Sequence, residues 1–120
     1  MAFVHLHNHT EYSMLDGATK IKDMVRRAAD LDMPAVAITD HGVPELCDAC
    51  DAVEKETGKC VKPIYGCEIY FTEDPEVGTK NKSRLYHMLL LAKNNVGYHN
   101  LVHLVSESHV DNFYYKPRTT

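Results

Sequence analysis

Residues 35–42 read AVAITDHG, and this short stretch indicates the class of fold. Its first five residues carry no charge, which is typical of a strand that is buried on both faces of a parallel sheet. Asp40 and His41 follow at once, where such a strand emerges from the core. In α/β proteins the functional groups gather at the carboxyl ends of the strands, so these two side chains are candidates for a site.

The segments on either side alternate between strand and helix patterns. Helices are predicted over 19–33, 44–58 and 94–108, because apolar residues recur there at helical spacing. Pro44 suits the first turn of the second helix, and Gly58 suits its end. Strands are predicted over 3–7, 61–71 and 85–92. The polar stretch 72–84 is a loop or a hairpin tip, and 113–120 is a non-helical tail. The order predicts an α/β fold with about four parallel strands and flanking helices.

The N-terminal stretch HLHNH places imidazoles at alternate positions. His7 and His9 lie two apart, so on a strand both side chains point to the same face. Two imidazoles on one face can bind the same metal ion. A pair of solvent-facing histidines at a strand edge is the alternative interpretation.

Two further strands carry polar side chains within apolar runs. Glu68 interrupts YGCEIYF, where a carboxylate is costly to bury unless it is paired or bound to a metal. His87 lies near the start of the apolar run LYHMLLLA. The rule that functional residues lie at the carboxyl ends of strands therefore does not by itself assign His87 to the site.

Asp16 and His41 extend the pattern, although Asp16 and the neighbouring Asp40 also have structural interpretations. Asp16 precedes Gly17 after the first strand, where an Asp-Gly pair often makes a turn. Asp40 could cap the following helix. Imidazoles and carboxylates nevertheless recur at the ends or interiors of successive strands. That coincidence favours one shared metal centre, and such ligands suit Zn²⁺ or Mn²⁺.

The composition limits the function classes. The chain has 120 residues, enough for one domain with one modest core, and its net charge of −4 argues against general attraction to nucleic-acid phosphate. Apolar runs fall short of the roughly 18 residues that a membrane helix needs, so no membrane partner is expected. The four cysteines and the absence of an export signal in MAFVHLHNH predict reduced thiols in the cytoplasm.

Several motifs in order carry a family resemblance. HLHNHTEYSMLDG, AVAITDHG, KPIYGCEIYF, YHMLLLAKNNVGYHNL and FYYKPR are similar to the start of the PHP (polymerase and histidinol phosphatase) domain. H-x-H-T and T-D-H-G indicate the superfamily. YSMLDG, KPIYG and FYYKPR resemble the branch found at the N-terminus of bacterial replicative DNA polymerases.

The resemblance implies a seven-stranded βα barrel that holds up to three ions, Zn²⁺ or Mn²⁺. It implies that His7 and His9 bind one metal together with Glu68, which bridges to a second metal. His87 would bind that second metal. The resemblance further implies that Asp16 and His41 hold part of a third, with Asp40 outside the ligands or acting as a proton acceptor.

The family domain is about twice as long as this chain, and its last ligands lie on later strands. We therefore expect residues 1–120 to be the N-terminal portion of a PHP domain, with about four of seven strands and six of nine ligand positions. Metal ions would then be fewer or more weakly bound. An incomplete sheet would expose a strand edge, and self-association as a dimer is expected unless the tail from Asn112 to Thr120 covers it.

The resemblance implies phosphodiester hydrolysis, as a 3′–5′ exonuclease in the full-length polymerase, with DNA and other replicase subunits as partners. Whether this chain alone is an enzyme is left open. Two alternatives remain: a stand-alone phosphoesterase that acts on a small phosphomonoester, and a structural or interaction module whose metals stabilise the fold.

Overall fold

The computed structural model describes residues 3–13, 15–41, 46–73 and 84–120. The three predicted helices are confirmed, although Pro44 and most of the polar stretch 72–84 lie outside the described residues. The elements in chain order are α1 (Ile21–Asp30), β1 (Ala35–Ile38), α2 (Cys47–Thr57), β2 (Lys62–Phe71), β3 (Tyr86–Leu91), α3 (Asn95–Val110), β4 (Phe113–Tyr114) and β5 (Lys116–Thr119).

The strands form one five-stranded mixed sheet around β2. β1 runs parallel to the first half of β2, and β5 runs parallel to its end. The α/β class and the parallel β1–β2 pair are confirmed, whereas the predicted parallel direction of β3 is wrong, because β3 is antiparallel to β2. Residues 72–85 join β2 to β3 in a polar stretch with no helical pattern, which suits an antiparallel return rather than a crossover. The barrel that the resemblance implies stays a prediction.

The predicted first strand is reduced to one parallel bridge, between His5 and Val36. Beyond that bridge, Asn8 attaches the chain to the edge of β1. Its amide Nδ2 donates to the Ala37 carbonyl oxygen at 2.9 Å, and its backbone oxygen accepts from Thr39 N at 2.9 Å. One side-chain bond and one backbone bond thus replace part of a regular strand ladder, and they hold Asn8 beside β1.

The apolar core divides into two clusters of unequal size. The larger lies between α1, α2 and the β1 side of the sheet. The smaller lies under α3 and is formed by Cys67, Ile69 and Leu101. The larger cluster consists of Ile21, Val25, Ala28, Ala29, Val36, Ile38, Leu46, Cys50, Val53 and Val61.

The tail forms a hairpin of β4 and β5 that lies beside β2, and not over the edge of β3. Tyr115 at its turn has φ of 58°. Among the described helices, none is long and apolar enough to cross a membrane.

Candidate metal centre

Glu68 lies at the centre of the site. Backbone bonds from its N–H to the Thr39 and Asp40 carbonyl oxygens place it beside the end of β1. Its side chain is buried, and its two oxygens face three imidazoles. Glu68 Oε2 lies 2.7 Å from His9 Nε2 and 3.2 Å from His7 Nε2. The Nε2 atoms of His7 and His9 are 3.2 Å apart. Three donor atoms therefore converge within the span of one small cation.

The pKa of Glu68 reflects two opposing effects. Burial, the largest single effect, raises the pKa because it disfavours the charged carboxylate. Hydrogen bonds from His7, His87 and His9, with the charge of His87, together outweigh burial. The pKa consequently lies below its ordinary value of 4.5, and Glu68 is a carboxylate at neutral pH.

His87 reaches the other oxygen of Glu68, with Nδ1 2.6 Å from Oε1. The antiparallel direction of β3 explains this position. His87 pairs with Tyr70, so the start of β3 lies beside the end of β2. A residue that opens an antiparallel strand thus reaches the same edge as the residues that close the parallel ones.

A second group of candidate ligands forms around His41. The Nε2 atom of His41 lies 3.2 Å from Asp16 Oδ2, and its Nδ1 lies 2.6 Å from the Glu68 carbonyl oxygen. A carbonyl oxygen only accepts, so Nδ1 carries the proton, and in the neutral ring Nε2 has a free lone pair. His9 joins Asp16 and His41 in this group, a contribution that the resemblance did not imply.

Asp40 is almost completely buried behind these residues. Its two oxygens accept from the backbone N–H of Thr10 at 2.7 Å and from the Thr10 hydroxyl at 2.5 Å. One of them also lies 3.7 Å from His9 Nδ1. Asp40 therefore holds the loop that follows His9, and its carboxylate lies beside the His9 ring.

Two further loop residues shape the same region: Ser13, which the sequence reasoning missed, and Gly17, which it named only as part of a turn. The hydroxyl of Ser13 lies 3.4 Å from His9 Nδ1 and accepts from the His41 backbone N–H at 3.4 Å. Gly17 passes so close to the chain that a Cβ there would lie 2.6 Å from the His9 carbonyl oxygen. The Asp-Gly pair was a usable signal for Gly17, whereas no pattern marked Ser13.

The six predicted ligands converge, and Asp40 supports them from behind. Glu68 contacts three of the imidazoles directly, and His9 connects this group to Asp16 and His41. His5 stays apart. His5 is exposed, and its ring packs edge-on against the ring of Phe3 with centroids 4.7 Å apart. Together with His7 and His9 it lines a cavity of about 440 Å³.

The donor set fits a metal of the zinc or manganese type. Each group offers imidazole nitrogens and a carboxylate oxygen within 4.8 Å of one another. His7 and His9 also bring two Nε2 atoms to the same oxygen of a buried carboxylate, which a shared cation would satisfy. Each of the two groups could therefore hold a metal ion.

Comparison with known proteins identifies the class: residues 5–120 match the PHP domain family, and the chain belongs to it. The curated relatives name a particular protein. Over 117 residues the chain is 44% identical to the DNA polymerase III subunit alpha of Helicobacter pylori, covering 98% of this chain. It is 40% identical to the subunits of Campylobacter jejuni and Thermus aquaticus, over 97% and 98% of the chain. The chain spans about a tenth of the length of each of these relatives.

Proposed function

We propose that the chain is the N-terminal part of the PHP domain of a bacterial DNA polymerase III alpha subunit, and that its metal centre hydrolyses phosphodiester bonds. In the full-length protein this activity would be 3′–5′ exonuclease proofreading, with DNA and other replicase subunits as partners and the cytoplasm as location. The observation that carries the proposal is the convergence of three imidazoles on the buried carboxylate of Glu68.

The candidate ligands are His7, His9, Asp16, His41, Glu68 and His87, and the ions are Zn²⁺ or Mn²⁺. Bound there, such ions would neutralise phosphate charge and lower the pKa of a water molecule towards 7. The residues of the chain supply the geometry. Glu68 lies between the imidazoles of two positions, and the Nδ1–H···O=C bond of His41 directs its Nε2 towards Asp16.

Asp40 has a supporting role in this proposal. Its carboxylate is committed to Thr10 by two short hydrogen bonds, and it approaches His9 at 3.7 Å. A group so enclosed cannot reach solvent to accept a proton from a reacting water. We therefore favour positioning of His9 over the alternative role of proton acceptor.

The proposal is tested by hydrolysis assays with two substrates in the presence of Mn²⁺ or Zn²⁺. A 5′-labelled single-stranded oligonucleotide reports 3′–5′ phosphodiester cleavage, and p-nitrophenyl phosphate reports phosphomonoester cleavage. We expect stepwise shortening of the oligonucleotide that EDTA abolishes and that Glu68→Gln removes. Lys62→Ala, at the far end of β2, is the matched control and should leave cleavage unchanged.

The two alternatives give different results in the same assays. Cleavage of the phosphomonoester alone would favour a stand-alone phosphoesterase. Metal binding with no cleavage of either substrate, in this chain and in a chain extended to the length of the relatives, would favour a structural module.

We further propose that the chain self-associates through β3. Among the described residues β3 pairs only with β2, and Tyr86, Met88 and Leu91 on it are more than a third exposed. Exposed strand edges with apolar side chains favour pairing with another chain. Size exclusion with light scattering at micromolar concentration should give twice the chain mass of 13.6 kDa, and a single species at 13.6 kDa would reject the dimer.

A further inference from the structure

The motif FYYKPR at residues 113–118 has no part in the metal centre as described so far. Its strand, β5, lies beside the end of β2, with Arg118 paired to Tyr70 in parallel register. Paired residues of parallel strands point to one face, and so do residues two apart on a strand. Lys116 and Arg118 therefore share the face of the sheet that carries Tyr70 and Glu68.

Lys116 reaches the metal centre through the ring of Tyr70. Its Nζ donates to the Tyr70 hydroxyl at 3.1 Å and lies 4.2 Å from the ring centroid. The same ring stacks on His41, with centroids 4.8 Å apart and planes 9° apart. The Tyr70 ring also packs edge-on against the ring of His87, with centroids 4.8 Å apart. One buried aromatic residue thus contacts both the ammonium group and two candidate ligands.

The contact with Tyr70 could serve only to hold the tail hairpin against β2. Two features indicate more. Lys116 is exposed although its partner Tyr70 is buried, so the residue lies at the surface beside the site. An ammonium group has three N–H donors, and the Tyr70 hydroxyl takes one of them. The remaining donors suit an anionic oxygen, and lysine is a common point-charge ligand for phosphate.

We propose that Lys116 binds a non-bridging phosphate oxygen of the substrate, and that Tyr70 positions its ammonium group beside the metal centre. The inference rests on the proposed function and adds to it a substrate-binding residue from the tail. The ligand class is a nucleotide phosphate held between Lys116 and the metal positions at His41 and His87.

The test measures the binding of thymidine 5′-monophosphate, a product of DNA hydrolysis, to the Mn²⁺-loaded chain. Broadening of its ³¹P resonance by bound Mn²⁺ gives both the dissociation constant and proximity to the metal. We expect Lys116→Ala to weaken nucleotide binding about tenfold or more, since hydrogen bonds to charged groups are of that strength. Its Mn²⁺ affinity should match the unaltered chain. Lys116→Arg should restore most of the binding, and Lys62→Ala should change nothing.

The outcomes separate this inference from the proposed function. Unchanged nucleotide affinity in Lys116→Ala, with Mn²⁺ still bound, would overturn the inference and leave the metal centre intact. Failure of the unaltered chain to bind either Mn²⁺ or Zn²⁺ would overturn both. If Lys116→Ala does not fold, Tyr70→Phe removes the hydroxyl partner and keeps the ring. That variant should weaken nucleotide binding several-fold without loss of Mn²⁺, and equal affinity would overturn the inference.

Discussion

The two candidate ligand groups share His9 but hold their carboxylates very differently. Glu68 lies in the middle of β2, is only 7% exposed, and faces three imidazoles. The side chain of Asp16 lies on a loop, is 47% exposed, and faces His41. The buried carboxylate on the strand is held by three imidazoles before metal arrives, whereas the exposed carboxylate on the loop contacts one. The first group should therefore bind metal more tightly than the second.

Replacing the shared residue should have the largest effect. His9→Ala removes a ring nitrogen from the Glu68 group and the ring that stacks on His41 in the other group. We therefore expect metal affinity to fall at both positions, by more than about 100-fold at the Glu68 position, since loss of an outer partner alone often costs 10–100-fold. Calorimetric titration with Zn²⁺ measures the affinity at each position. His5→Ala is the control, because His5 belongs to neither group. Loss at one position only would show that His9 is not shared.

Glu68→Gln should separate the groups. The amide keeps the shape of the side chain but loses the negative charge that His7, His9 and His87 face. We expect the tighter site to disappear from the titration while the site of Asp16 and His41 remains. If the tighter site survives with its affinity unchanged, Glu68 is not a ligand of that position.

Asp16→Asn should give the reverse and smaller change. Because Asp16 is exposed and contacts His41 from a loop, its loss should weaken only the second site, by about tenfold. The titration should retain the tighter site of Glu68. An equal loss at both sites would contradict the difference between the strand-held and loop-held carboxylates.

The smallest effect concerns stability without metal. The pKa of Glu68 is lowered by folding, so the unfolded state binds its proton more readily. The stabilisation is fully present above the ordinary value of 4.5 and is lost as the pH falls through the lower folded value. Urea midpoints of the metal-free chain should therefore fall more steeply below pH 5 than those of Glu68→Gln, which keeps the same histidines. If the urea midpoints of the two chains fell equally with pH, this stabilising role of Glu68 would be refuted.

Much of the site could be predicted from sequence because its residues follow strand signals. AVAIT predicted β1, and Asp40 and His41 follow it at the expected edge. The direction of β3 could not be predicted in this way, because a run such as LYHMLLLA indicates a strand but not its partner. The antiparallel pairing of β3 with β2 becomes visible only in three dimensions, and it brings His87 to Glu68.

The supporting residues were harder to predict because their roles depend on long-range contacts. Ser13 is one hydroxyl in a polar loop, and its proximity to both His9 and His41 is visible only in three dimensions. Tyr70 looked like an ordinary strand aromatic, yet it packs against His41 and His87. The resemblance supplied the six candidate ligands, but it did not imply that His9 lies with Asp16 and His41.

The central claim is that these converging side chains hold metal ions. The most direct test is dialysis of the purified chain against micromolar Zn²⁺, followed by metal analysis of the unaltered chain, of His9→Ala and of His5→Ala. The account predicts one or two ions per unaltered chain, released by a mild chelator, the same content in His5→Ala, and almost none in His9→Ala. Metal content no higher than that of His9→Ala would contradict it, and so would three ions that resist the chelator.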